Sequence, residues 1–222
     1  MKEYISVLRQ CPVFKNIPRE QISDLIRSLN GVLKSYRKNE FIVFSGECIA
    51  EIGIVLSGSV SVIKEDFWGN RDIRDKIGIG GIFGEAICFS KIKSVSPGVC
   101  ANSDCTILFI SAENITGGCV GDERLKSTIL SNMLTIMADK TVMLNRKIEH
   151  IVKRTTRDKL MSYLSLQSAL NGKNEFDIPF NRQELADFLS VDRSAMSNEL
   201  SKLQKEGMIE FKKNHFILKH GI

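Results

Sequence analysis

The sequence predicts an α+β protein in three consecutive parts: a small roll of short strands, one long helix, and a helical tail ending in a hairpin. Three observations carry that prediction. Between Val32 and Ile110 short apolar or alternating runs (VLKSY, EFIVF, IGIVL, SVSVI, RDIRDKIG, GVCA and TILFI) are separated by Gly, Asn, Asp and Ser, as expected of strands. From Asp122 to Val152, the residues Leu125, Ile129, Met133, Ile136, Met137, Met143, Leu144, Ile148 and Ile151 recur at three and four positions, with neither Pro nor internal Gly. From Phe180 onward two helix-spaced runs are followed by Gly207 and a second alternating stretch.

Taken in order, PREQISDLIRSL is an amphipathic helix with Ile22, Leu25, Ile26 and Leu29 on one side. In the strand region Gly46-Glu47, Gly58 and Gly69-Asn70 are the punctuation, and the last suits a two-residue hairpin turn. Regular short strands at this spacing close into a small barrel or roll. The long helix has the repeat of a coiled-coil dimer seam, though an intramolecular role packing on the roll would use the same residues. Lys153 to Thr156 is read as a hinge, with Thr155 or Thr156 capping the next helix, RDKLMSYLSLQSAL.

The tail from Phe180 to Leu218 has the order of a winged helix-turn-helix. Asn181 can cap a first helix while Glu184 reaches back to the amide of the cap, and that helix buries Leu185, Ala186 and Leu189. Asp192 caps a second helix, and its negative charge also suits the positive end of the helix dipole. Met196, Leu200 and Leu203 then face the core, and Arg193, Ser194, Ser197, Asn198 and Ser201 share the opposite face. Gly207 terminates the helix, and Ile209, Phe211, Phe216 and Leu218 flank a turn at Lys213 and Asn214. An exposed face of Arg, Ser and Asn can hydrogen-bond base edges or phosphates, so the expectation is double-stranded DNA as partner.

Composition is compatible with this but does not establish it. The chain has 222 residues, 43% hydrophobic and 26% charged, with a net charge of +5. That suffices for two modest cores. Lys153, Arg154, Arg157, Arg182, Arg193, Lys212 and Lys213 all lie at helix starts or in the wing, where they can meet phosphates. Lys2, Glu3 and Arg9 interrupt the N-terminus as a leader, and no run approaches the roughly twenty apolar residues of a membrane span. The expectation is a cytoplasmic protein without a membrane partner. The six cysteines, Cys11, Cys48, Cys88, Cys100, Cys105 and Cys119, show no C-x-x-C spacing. In a reducing compartment they are expected to be small buried hydrophobes.

RQELADFLSVDRSAMSNEL, preceded by GIVLSGSVSVIKEDFWGNRDIRDKIGIGGIFGEA, resembles the Crp/Fnr family of bacterial transcription regulators, and the resemblance covers nearly the whole chain. It implies a double-stranded β-roll of the cupin-like jelly-roll kind, similar to cyclic nucleotide-binding domains, then a dimerisation helix and a winged helix-turn-helix. The corresponding domains would be 1–120 for the effector or sensor roll, 121–152 for the dimerisation helix and hinge, and 153–222 for DNA binding. It implies a homodimer on an inverted repeat, RNA polymerase as a candidate partner, and no enzyme activity. The DNA-binding candidates are Arg182, Gln183, Arg193, Ser194, Ser197, Asn198, Lys202, Lys212 and Lys213. Arg193 is the best placed for a guanine, since its fork matches both acceptors of the major-groove edge.

The effector pocket implied by the same resemblance comprises Gly84, Glu85, Ala86, Val95, Ser96, Leu144 and Asn145. Relatives that bind cyclic AMP hold its phosphate with an Arg-Ser or Arg-Thr pair, whereas the Arg position here is Val95, followed by Ser96 and Pro97. Val has no charge-assisted donors, which argues against cyclic AMP; Lys91 and Lys93 are the nearby substitutes. An iron-sulfur cluster of the N-terminal kind needs grouped thiolates, and only Cys11 lies there. Haem is not supported by the placement of His150, His215 and His220, none of which falls in the roll. The effector is therefore left open. The alternative reading is a cysteine-based redox or metal sensor, or an enzyme module, built on Cys88, Cys100 and Cys105, with DNA binding secondary.

Overall fold

The computed structural model describes residues 2–65, 71–91, 97–117 and 121–219. The chain divides into two compact units, Met1–Ala138 and Asp139–Ile222.

The first unit begins with helices α1 (Ile5–Gln10) and α2 (Arg19–Ser28) and continues with strands β1 (Val32–Tyr36), β2 (Phe41–Val43), β3 (Glu51–Ser57), β4 (Val60–Glu65), β5 (Arg71–Ile77) and β6 (Ile82–Phe83). A short helix α3 (Glu85–Cys88), strands β7 (Gly98–Ala101) and β8 (Cys105–Ser111), and helix α4 (Ala112–Thr116) follow. The strands pair antiparallel in two four-stranded sheets, ordered β1-β8-β3-β6 and β2-β7-β4-β5. This is the predicted roll. The turn predicted at Gly69-Asn70 lies outside the described residues, although β4 and β5 pair on either side of it, up to Glu65 and Arg71.

The near-continuous hydrophobicity of β3 and β8 follows from burial on both faces. Val55, Ile107 and Phe109 point into the roll, where they meet Val43, Val60, Val99 and Ala101 of the opposite sheet. Alternate residues Ile52, Ile54, Leu56, Leu108 and Ile110 point outward and are covered by Leu8, Ile22, Leu25, Ile26 and Leu29 of the N-terminal helices. A period of two splits each strand between two cores. Inside the roll Phe83 lies directly over Gly53, its strand partner. Its ring carbons fall within 2.5 Å of where a Cβ on residue 53 would stand, so only Gly admits this ring. Phe83 then meets Phe109 edge to face at 6.1 Å.

The long helix α5 (Glu123–Ile151) contributes to both units. In the first, Ile129, Met133 and Ile136 join the outer core, and Asn132 Nδ2 donates to the carbonyls of Val13 (3.0 Å) and Lys15 (2.7 Å). So part of the apolar repeat serves its own chain. Of the rest, Met143, Leu144 and Ile148 are exposed, by 69, 59 and 43%, as are Leu134 and Val152 outside the repeat, by 71 and 67%. At about 100° per residue, Leu144 and Ile148 fall on one face of the second unit's part of α5.

The second unit continues with helix α6 (Thr156–Asn171), strand β9 (Glu175–Asp177), helices α7 (Arg182–Leu189) and α8 (Arg193–Lys205), and strands β10 (Ile209–Lys212) and β11 (His215–Leu218). The strands form a sheet ordered β10-β11-β9. Its core joins Leu160, Tyr163 and Leu164 of α6 to Leu185, Leu189, Met196, Leu200, Leu203, Ile209 and Phe216. Thr155 is the cap of α6, its hydroxyl accepting from the Asp158 amide at 3.0 Å. Strands β6 and β9, of two and three residues, cannot be anticipated from sequence, because a run that short has no measurable period.

Candidate nucleic-acid interface

The geometry of α7, the turn and α8 is set by local hydrogen bonds that the sequence announces. Asn181 Oδ1 accepts from the Glu184 amide at 3.0 Å while Glu184 Oε2 accepts from the Asn181 amide at 2.8 Å, closing the capping box. Asp192 Oδ1 accepts from the Ala195 amide at 2.8 Å and from the Ser194 hydroxyl, and these bonds, Ser194 first, hold its carboxyl below the usual carboxylate range. Between the helices Ser190 adopts φ +52°, a left-handed conformation costing a residue with a Cβ roughly 1–2 kcal/mol. Two contacts offset that cost. The Val191 amide donates to Ala186 O at 3.0 Å, and Lys159 Nζ donates to the carbonyls of Leu189 and Ser190, both at 3.2 Å. A cation on the orphan carbonyls of a helix end is favourable for hydrogen bonding and dipole alike.

One face of α8 is sealed, with Met196, Leu200 and Leu203 fully buried. The other presents the sequence candidates. Arg193, Ser194, Asn198 and Lys202 are exposed and Ser197 is half-buried. Several already have partners within the helix: Ser194 on Asp192, Ser197 on the Arg193 carbonyl (2.9 Å), and Lys202 on Glu199 (3.2 Å). Gln183 on α7 is likewise engaged with Asp187 at 2.9 Å. Arg193 and Asn198 have no side-chain hydrogen bond among the described residues. They are the two α8 candidates whose donors and acceptors are wholly available to an incoming base. In the wing, Lys212 and Lys213 are exposed at the hairpin turn, with Lys213 at φ +56°.

Two arginines at helix starts are directed elsewhere. Arg157 donates to both carboxylate oxygens of Glu206, at 3.0 Å from Nη1 to Oε1, and lies 3.5 Å from Glu199 Oε1. The hydrogen bonds from Arg157 keep the Glu206 carboxyl below its usual range. Its charge is thus neutralised inside the unit, tying α6 to the middle and the C-terminal end of α8. The guanidinium of Arg182 lies over the rings of Phe211 and Phe216, with Cζ 4.7 and 5.2 Å from the centroids. Neither destination could be read from local sequence, because each partner lies far along the chain.

His150 ends α5 in a buried position. Its Nδ1 is 2.8 Å from Ser162 Oγ, its ring meets Tyr163 edge to face at 5.8 Å, and Phe188 lies 6.4 Å away. Burial, with Lys153 adding to it and Glu149 opposing, lowers its pKa from the ordinary 6.5. A depressed histidine takes up fewer protons folded than unfolded, so stability is full above pH 6.5 and is lost as pH falls through and below that value. Stability of the second unit against urea is expected to weaken as pH falls below 6.5, and His150→Gln should flatten that dependence. An unchanged pH profile in the variant would assign the effect to another group.

The effector candidates are divided. Gly84, Glu85 and Ala86 stand together at the start of α3, Gly84 at φ +86° and Glu85 buried with 4% exposure. Leu144 and Asn145 are exposed on the part of α5 that belongs to the second unit. Val95, Ser96 and Lys93 lie outside the described residues, and Lys91 is exposed. A surface pocket of about 230 Å³ is instead lined by Phe41, Phe44, Ser45, Ile63 and Gly98, with Phe41 and Phe44 stacked at 5.2 Å. Among the described residues no three His, Cys, Asp or Glu side chains gather as metal ligands. As a metal site the proposed grouping of Cys88, Cys100 and Cys105 is therefore not formed: Cys88 bonds the Ile49 carbonyl from α3, and Cys105 enters the roll core. Burial pushes the Cys11 thiol up to about 11 and raises that of Cys105, which disfavours the reactive thiolate. Cys119 and His220 lie outside the described residues.

Comparison with known proteins agrees with this architecture. The cyclic nucleotide-binding domain matches residues 33–119 and the Crp-like helix-turn-helix domain matches residues 158–220. The cAMP-activated global transcriptional regulator Vfr of Pseudomonas aeruginosa is 24% identical over 187 residues, covering 81% of this chain and 85% of Vfr. The transcriptional activator protein FnrL of Cereibacter sphaeroides is 33% identical over 76 residues, 30% of this chain and 31% of FnrL. In fold, the chain is similar to the solved structure of the c-di-GMP-responsive global regulator CLP of Xanthomonas campestris. That likeness has a TM-score of 0.60 at 17% identity, over 91% of this chain and 100% of that one. With a β-roll and a winged helix-turn-helix each matched in place, the chain belongs to the Crp/Fnr family of DNA-binding transcription regulators.

Proposed function

We propose that the protein acts in the cytoplasm as a homodimer that reads an inverted DNA repeat through two copies of α8. Residues 1–120 would serve as sensor, 121–152 as dimer helix and hinge, and 153–222 as DNA-binding domain. The observation that carries the reading is the pairing of one sealed and one open face on α8, with Arg193 and Asn198 uncommitted on the open side. Arg193 reads guanine, Asn198 and the helix hydroxyls refine the choice, and Lys212 and Lys213 meet phosphates. Two recognition helices related by a two-fold axis require half-sites one helical turn apart, which is why the site is an inverted repeat.

The regulatory signal enters through the roll and shifts the balance between arrangements of the two DNA-binding domains about the hinge. Cyclic AMP, which activates Vfr by that protein's name, is not the signal proposed here. Val95 provides no bidentate donor for a phosphate, and the roll interior is filled by Val43, Val55, Val99, Phe83, Ile107 and Phe109. RNA polymerase is the natural further partner of such a regulator.

The test is selection of a duplex from a randomised library by the full chain, followed by titration of Arg193→Ala on that duplex. Specific affinity is expected to fall by about 1–3 kcal/mol per half-site, with preference relaxed at one base pair. Equal binding by parent and variant would remove Arg193 from the base-reading role.

A further inference from the structure

Arg182 opens α7, yet its charge is spent on the wing. The guanidinium covers Phe211 of β10 and Phe216 of β11, which are cross-strand partners with rings stacked at 5.9 Å. Phe216 stacks in turn on Phe176 of β9 at 6.5 Å, so the cation caps a ladder of three rings spanning the sheet. Its Nη2 atom is buried and has no hydrogen-bond partner among the described residues. A guanidinium nitrogen enclosed in this way cannot reach a phosphate unless the wing moves off it. What stabilises this half-buried charge is the ring faces, an attraction that strengthens as water is removed. Immediately beyond Phe211 come Lys212 and Lys213, exposed at the tip.

We infer that Arg182 is a positioning residue: by clamping the aromatic ladder against α7 it sets the angle at which Lys212 and Lys213 meet the DNA backbone, and it touches no phosphate itself. This rests on the proposal that α8 and the wing engage one duplex together. The base of the wing is anchored in the core by Ile209 and Phe216, and a planar cation over two of its rings fixes both its distance from α7 and its tilt. Lys at this position would supply charge without the flat face.

The experiment measures affinity for a duplex selected by the parent chain across a range of salt, at a temperature where every variant keeps the parent's far-ultraviolet circular dichroism. Lys212→Ala/Lys213→Ala should lower the slope of log affinity on log salt by up to about two per half-site, near 0.9 for each phosphate no longer neutralised. Arg182→Ala should lower the slope comparably, and should change affinity less than twofold once both lysines are already gone. Phe211→Leu, which leaves the arginine in place, should reproduce the loss and keeps the test open if Arg182→Ala fails to fold. A slope that falls by about one per half-site with Arg182→Ala in both backgrounds, while Phe211→Leu leaves it untouched, would overturn the clamp in favour of a direct bond to phosphate. Lower affinity at unchanged slope would overturn it too, as a merely structural effect. If the double lysine variant alone has no effect on the slope, the wing-to-phosphate reading itself falls, which is a different failure.

Discussion

Replacing Leu144 and Ile148 together by Glu is expected to leave the chain monomeric and to weaken its binding to a selected inverted repeat by roughly 10²–10⁴-fold. Both side chains stand exposed on one face of α5 in the second unit, by 59 and 43%. A fully buried Leu or Ile contributes about 1.5–3 kcal/mol, and a second copy of the same helix would supply that burial symmetrically. Glu at both positions would place four carboxylates in the seam of a dimer, where like charges repel and lose water. Neither residue belongs to the core of its own unit, so the variant should remain folded. Two such monomers would each meet a half-site separately, and the effective concentration that links the two binding events would disappear. Light scattering and titration on full-site and half-site duplexes check this together. A variant that stays dimeric, or a parent that is monomeric, would remove this face from the assembly.

Leu200→Ala should cost about 2–5 kcal/mol of stability in the second unit, lowering its unfolding midpoint by roughly 10 °C or more. Leu200 is fully buried midway along α8, between Met196 and Leu203, against the core that α6, α7 and the wing sheet share. Truncation leaves a cavity that a capped helix, tied to α6 by Arg157 and Glu206, cannot close by sliding. Native-state hydrogen exchange at α8 amides measures the loss. DNA affinity at low temperature should stay within a few-fold of the parent, because Leu200 faces away from the reading surface. A penalty under about 1 kcal/mol would mean that the inward face of α8 had been assigned wrongly.

These variants share a logic with the buried His150 and with Arg182 on the wing. In each case a surface that the sequence marks as polar or apolar acquires its role from what the fold sets against it. Ile136 and Met143 are both apolar residues of one repeat, yet Ile136 is sealed into the first unit's core and Met143 is 69% exposed. Arg157, Arg182 and Arg193 all stand at helix starts; the first is neutralised by Glu206, the second lies on Phe211, and the third is open. Helical spacing alone cannot separate these outcomes.

What the amino-acid order determined by itself were the features whose cause is local. The boundaries at Asn181, Glu184, Asp192, Thr155 and Gly207 follow from bonds or backbone angles within a few residues, and the strands from alternation that any two-sided sheet imposes. Tertiary structure alone decided the rest: Phe83 over Gly53, Lys159 on the end of α7, His150 against Tyr163, and Arg182 on the wing. Those contacts join residues far apart in sequence, and their energy comes from packing and desolvation, which depend on which surfaces meet and not on which residues are neighbours along the chain.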